Sequence, residues 1–191
     1  MQKEEIIRNL ILLSLIILCI IFLVIFLKYR NSNQLFKSDS GAVELISSKG
    51  NAIEIVDNHP MSDEFGKKIS DDTLSVQSYY AFEVKSISNV GTNFEVYVTD
   101  YDYKNDIQTN FIKLYLTDEN DEPVNGYVNA YAPTYYNLRV SAFNPVGRRI
   151  YYGYIGPHES KKFILRVWVG DAYTIKVDSN KFGMKIYAEA E

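Results

Sequence analysis

The chain has 191 residues, with 24 acidic against 20 basic side chains, a formal net charge of −4 and a single cysteine. From residue 31 onward the imbalance sharpens to 16 basic against 22 acidic residues, which makes nucleic acid and anionic headgroups poor partners. One cysteine leaves no internal disulfide framework and no thiolate metal site.

Residues 1–9 form a short head carrying Lys3 and Arg8. Residues 10–27, LILLSLIILCIIFLVIFL, are interrupted only by Ser14 and Cys19. At about 1.5 Å per residue this run spans about 27 Å, and with Ile6 and Ile7 it covers a bilayer core of about 30 Å. A single transmembrane helix in the lipid bilayer is therefore expected. A cleavable signal peptide has an apolar region of about 7 to 15 residues and a small-residue cleavage site. This run is longer, and the flank from Lys28 to Asn33 has no such site, so the anchor is expected to be kept. Charge does not orient it, because Lys28, Arg30 and Lys37 balance the amino terminus, Lys3 and Arg8. A nine-residue head before a domain-sized tail fits an N-terminal signal-anchor with the tail exported; a cytoplasmic tail domain is the alternative. Ser14 and Cys19 make no small-xxx-small pair, so the helix reads as lipid-facing.

Residues 28–41 are polar and read as a stalk. Residues 42–191 then have the size of one domain with its own core. Along them the dominant period is two. Residues 52–56 alternate briefly before the breaker Asp57-Asn58-His59-Pro60, and 61–73 reads as a loop with one short strand or turn. Val76, Ser78, Tyr80, Phe82 and Val84 line one face of a strand. After the turn residues Asn89 to Asn93, the strand beginning Phe94, Val96, Val98 is expected to close a hairpin with it. Further alternations are Ile112, Leu114, Leu116; Leu138, Val140, Ala142; Ile150, Tyr152, Tyr154; Phe163, Leu165, Val167, Val169; and Phe182, Met184, Ile186, Ala188. Eight to ten short strands without an amphipathic helix predict an all-β fold, an antiparallel β-sandwich, behind the N-terminal helix.

Candidate chemistry is sparse. His59 and His158 lie far apart in turns, and neither an H-E-x-x-H helix, a G-x-S-x-G elbow nor a glycine-rich phosphate loop occurs. No catalytic residue, no cofactor site and no enzyme are expected. Hard cations need several converging oxygens. Two acidic clusters offer them, with Asp100, Asp102 and Asp106 in one and Asp118 and Asp121 in the other, as weak calcium candidates; neither matches the twelve-residue calcium loop. Asp57, Asp63 and Glu64 form a looser third group.

Tyrosine is the residue used out of proportion, 16 in the chain. In a strand, one member of each adjacent pair Tyr79-Tyr80, Tyr135-Tyr136 and Tyr151-Tyr152 faces inward and the other outward. The outward ones are good strand residues and also provide contact area at low entropic cost.

The order Asp57-Asn58-His59-Pro60-Met61-Ser62-Asp63-Glu64-Phe65-Gly66, then Tyr80-Ala81-Phe82-Glu83-Val84 with Asn89, Tyr97, Phe163 to Val169 and Phe182-Gly183-Met184-Lys185-Ile186, resembles the camelysin/TasA-type surface proteins of Gram-positive bacteria. The resemblance covers most of residues 52–188. It implies an exported jelly-roll-like or immunoglobulin-like sandwich, hence a plasma-membrane protein with its N-terminus inside and its domain outside. TasA-type proteins are released and polymerise through a freed N-terminal segment, which a retained anchor would prevent. The metallopeptidase label of camelysin-type members finds no zinc motif here. The expectation is a membrane-anchored surface protein with a structural, adhesive or matrix-related role, whose partner is another protein or the cell wall or matrix. A non-catalytic subunit of a conjugation or secretion machine is the alternative, and a metallopeptidase a distant third.

Overall fold

The computed structural model describes residues 36–39, 41–55, 59–71, 78–100, 106–124, 132–174 and 181–191. The expected membrane segment, 10–27, lies outside them; among the described residues no helix is long and apolar enough to cross a membrane.

Nine strands follow in chain order: β1 (Phe36–Asp39), β2 (Val43–Ser47), β3 (Ala52–Ile55), β4 (Ser78–Ser86), β5 (Thr92–Asp100), β6 (Ile112–Asp118), β7 (Arg148–Ile155), β8 (Ser160–Val169) and β9 (Phe182–Ala190). A single helical turn, α1 (Asp63–Gly66), and a 3-10 turn (Tyr135–Asn137) complete the elements. The strands form a five-stranded sheet, β1-β2-β4-β8-β6, and a four-stranded sheet, β3-β9-β5-β7. Every strand pair is antiparallel. β1 falls within the stretch expected to be stalk, so strand pairing begins there at Phe36.

One hydrophobic core joins the two sheets, as the period-two pattern requires. Leu45, Phe82, Val84, Leu114, Leu165 and Val167 enter it from the first sheet, and Ile53, Phe94, Val96, Ile155, Met184 and Ile186 from the second. Each such side chain taken fully out of water contributes about 1.5–3 kcal/mol. The aromatic rings of Phe82 and Phe163 stack at 5.3 Å, and Tyr151 approaches Phe163 at 4.8 Å. Tyr80 is buried with its hydroxyl donating to the Gly50 carbonyl in the β2–β3 turn, and burial pushes its pKa up to about 12. Gly50 holds φ at +78°, a left-handed conformation that favours glycine.

Two expectations are corrected. β4 and β5 are not a hairpin: β4 pairs with β2 and β8, whereas β5 pairs with β7 and β9. The link between them turns a corner from one sheet to the other. Ile87 N–H is taken by Ala42 O at 3.0 Å, which extends the β2–β4 ladder by one residue, and Val90 N–H by Ser88 Oγ at 3.1 Å within the link, so neither bonds across to β5. Residues 138–142 are likewise no strand. Only Val140 makes a bridge, to Arg148, and Ser141 Oγ accepts the N–H groups of Phe143 and Asn144, bending the chain off the ladder.

β8 shows how sequence period and burial diverge. Phe163, Leu165, Val167 and Val169 face the core, yet Arg166 and Trp168 on the opposite face are buried as well. Segment 59–71, with α1, lies over them: Met61 N–H donates to Val169 O at 2.9 Å, and Ile69 packs with Trp168 and Ala132 in a second apolar cluster. Gly66 sits on the indole, where any Cβ would fall inside the ring's van der Waals envelope.

Candidate functional surface

The described acidic candidates do not converge. Asp100, ending β5, accepts the Tyr135 hydroxyl at 3.4 Å, and Asp106 accepts the Lys181 N–H at 3.3 Å. Asp118 Oδ1 accepts the N–H groups of Asn120 and Glu122 at 2.8 and 3.0 Å, closing the turn after β6. Asp121 pairs with Arg166 at 2.5 Å, and Asp63 lies 3.4 Å from Lys113 Nζ. Asp102 and Asp57 lie outside the described residues. Among the described residues no group of three or more His, Cys, Asp or Glu is placed to hold a metal ion. His158, in the β7–β8 turn, meets Asn89 Oδ1 at 2.9 Å and thereby ties two corner loops together; His59 is exposed near the start of the covering segment.

What the fold does assemble is a tyrosine-rich outer face on the four-stranded sheet. Register places Tyr152 opposite Glu95 and Glu95 opposite Glu189, while Tyr97 stands beside Tyr187 and Tyr154 beside Asn93. Tyr97 and Tyr187 stack at 5.3 Å, and Tyr97 Oη donates to Glu189 Oε1 at 2.6 Å. Burial, reinforced by that carboxylate, raises the Tyr97 pKa above its ordinary value. Tyr152 Oη donates to Glu191 Oε1 at 3.1 Å, which raises its pKa, and the Arg149 guanidinium lies over its ring at 5.7 Å. Tyr152 and Tyr154 remain 43% and 58% exposed. The three tyrosine pairs split as their positions imply. Tyr80 and Tyr135 are buried, Tyr151 packs against the core, and Tyr136 and Tyr152 face solvent; Tyr135-Tyr136 does so from a 3-10 turn rather than a strand.

The other half of this face is closed by segment 138–147, a strap folded over β5. Its anchor is Glu95, whose side chain is fully buried, with Ala142 N–H donating to both carboxylate oxygens at 3.3 Å and Arg149 Nη1 at 3.5 Å. Gly147 packs against the Tyr97 ring, where a side chain would not fit. Replacing Glu95 by Ala orphans the Ala142 N–H and leaves Arg149 without its counter-charge. The expected cost is about 1.5–3 kcal/mol, measured by chemical denaturation, with hydrogen exchange accelerated at residues 138–147 before the rest of the sheet.

Neither Glu95 nor Arg166 is distinguished in the sequence as a buried charge; each occupies an ordinary outward position of an alternating strand. No sequence signal marks them, because the flanking of β5 and β8 by strands on both sides is a property of the sheets. Comparison with family models, with curated proteins and with solved structures yields no match. The class of protein is therefore defined by its fold, an all-β antiparallel sandwich of a five-stranded and a four-stranded sheet.

Proposed function

We propose that this chain is a single-pass, membrane-anchored surface protein that displays its sandwich for structural, adhesive or matrix-related contacts rather than for catalysis. The anchor is residues 10–27, joined to β1 through residues 28–35. The observation that carries the reading is the outer tyrosine face of the four-stranded sheet, whose rings are held in place by Glu189, Glu191 and Arg149. Pre-positioned aromatic side chains give contact area at little further entropic cost, as a binding surface requires. Asp106, Asp118, Asp121 and His158 are each engaged in separate turns and pairs, which favours display over chemistry. The resemblance to camelysin/TasA-type proteins points the same way and favours the exterior of a Gram-positive cell.

The test compares cells carrying the intact chain with cells carrying residues 1–35 alone. Retention of matrix or wall material should fall only in the second. Equal retention, together with recovery of the intact chain in a stoichiometric complex of membrane proteins, would favour the machine subunit instead.

A further inference from the structure

The two sheets have four edge strands, β1 and β6 in one and β3 and β7 in the other. Unpaired edges are normally short, charged or covered, because an open one templates pairing with another chain. Three of these follow that rule. β1 and β3 have four residues each and carry Lys37 with Asp39, and Glu54. β6 carries Lys113 and is bridged at Lys113 by Thr134 and at Thr117 by Pro123. Among the described residues β7 is covered only at its start, where Val140 bridges Arg148 and Arg149 N–H donates to Arg139 O at 2.8 Å. Beyond Ile150 it reads Tyr-Tyr-Gly-Tyr-Ile, with no charge, no proline and, among the described residues, no pairing segment alongside.

The register shows which groups this edge offers. Glu191 N–H donates to Asn93 O, so Asn93 turns its backbone to β9, and by alternation Phe94 and Val96 turn theirs to β7. Their partners Gly153 and Tyr151 bond inward, which leaves the N–H and C=O groups of Tyr152 and Tyr154 pointing outward along the free edge. The bulge at Ile150, where Tyr151 opposes Val96 and Arg149 opposes Tyr97, sets this phase and separates the covered half from the open half.

We propose that the open half of β7 is a self-association edge, where a second copy of this chain adds its own β7 antiparallel about a two-fold axis through Gly153. The segment is complementary to itself in that register. Tyr152 falls opposite Tyr154 of the second copy, and Tyr151 opposite its Ile155. The two Tyr152–Tyr154 pairs are the hydrogen-bonded ones and supply about four ladder bonds. Every opposed pair is aromatic or apolar, and no like charges meet. Gly153 lies at the axis in a non-hydrogen-bonded pair, where backbones approach to about 4.5 Å between Cα atoms. It has no side chain to obstruct them, and the Tyr151 ring already covers its inner side. The product is a single sheet running through both copies. This inference concerns the sandwich itself and holds whichever side of a membrane it occupies.

The test uses the full-length chain in detergent, measured by sedimentation equilibrium, with circular dichroism as the check on folding. The chain should be a dimer. Tyr152→Lys with Tyr154→Lys places like charges opposite each other and should weaken association about tenfold or more. In a Cys19→Ser background, Tyr152→Cys with Tyr154→Cys should form intermolecular disulfides under mild oxidation, because these exposed positions oppose each other across the axis at about 5.5 Å between Cα atoms, within disulfide reach; this second variant decides the matter if the lysine variant fails to fold. A monomeric wild type, a dimer that survives the two lysines, or a dimer whose introduced thiols at 152 and 154 stay reduced would each overturn the proposal.

Discussion

Arg166→Ala is expected to lower stability by about 3–5 kcal/mol, the sum of orphaned partners and the void left by a long buried side chain. Arg166 is a charged residue buried on the outer face of a central strand, and each of its three guanidinium nitrogens donates a hydrogen bond. Nε donates to Ile69 O at 2.7 Å, Nη1 to Thr117 Oγ1 at 3.1 Å and Nη2 to Asp121 Oδ1 at 2.5 Å, while the guanidinium lies over Tyr79 at 5.6 Å. It thereby ties together the covering segment, β6 and the turn after β6. The partners are not equal: Asp121 is 66% exposed and its attraction is screened, so most of the cost comes from Ile69 and Thr117 and from lost packing. Arg166→Lys should recover little, because an ammonium on a flexible stem cannot reproduce three divergent bonds and a stacked plane. A melting-temperature drop of about 10 °C for Arg166→Ala follows at this chain size. A drop under about 2 °C would show that the network is incidental.

Trp168→Ala carries the second large effect, about 3–5 kcal/mol. The indole is fully buried beside Ile69 and Ala132 with Met61, Tyr79 and Tyr115 around it, and Gly66 rests on its plane. Among the described residues its Nε1–H has no hydrogen-bond partner, and what they give the ring is packing. The substitution should therefore release segment 59–71 while leaving the main core intact. Loss of stability should be accompanied by exchange at the Met61 amide, which donates to Val169 O. The converse change, Gly66→Val, should produce the same local release by overpacking, at about 1–3 kcal/mol. If both variants melt like the wild type, the covering segment does not depend on this contact.

Most of the fold was legible from alternation. Phe163 to Val169 read correctly as a strand because every second residue is large and apolar, and the same holds for β4, β6 and β9. Val43-Glu44-Leu45-Ile46-Ser47 carries the same pattern over five residues and forms β2, although its brevity beside a polar stretch conceals it. Connectivity was less legible. A turn-rich link such as 87–91 has the same composition whether it closes a hairpin or rounds a corner between sheets, and only the partners of β4 and β5 decide. Leu138, Val140 and Ala142 alternate like a strand but form a strap, because Glu95 and Ser141 capture backbone donors that a ladder would have used. The outward tyrosines were foreseeable from adjacent pairs. That Tyr152 and Tyr154 sit on an edge strand was not, since edge position is a property of the sheet and not of the strand.

Display outside the cell on a retained anchor is the central claim, and protease treatment of intact cells tests it most directly. With a tag on the head and another on the C-terminus, the account predicts that added protease removes the C-terminal tag while a head fragment containing residues 10–27 stays in the membrane fraction. A C-terminal tag protected in intact cells and cleaved only after lysis would contradict it.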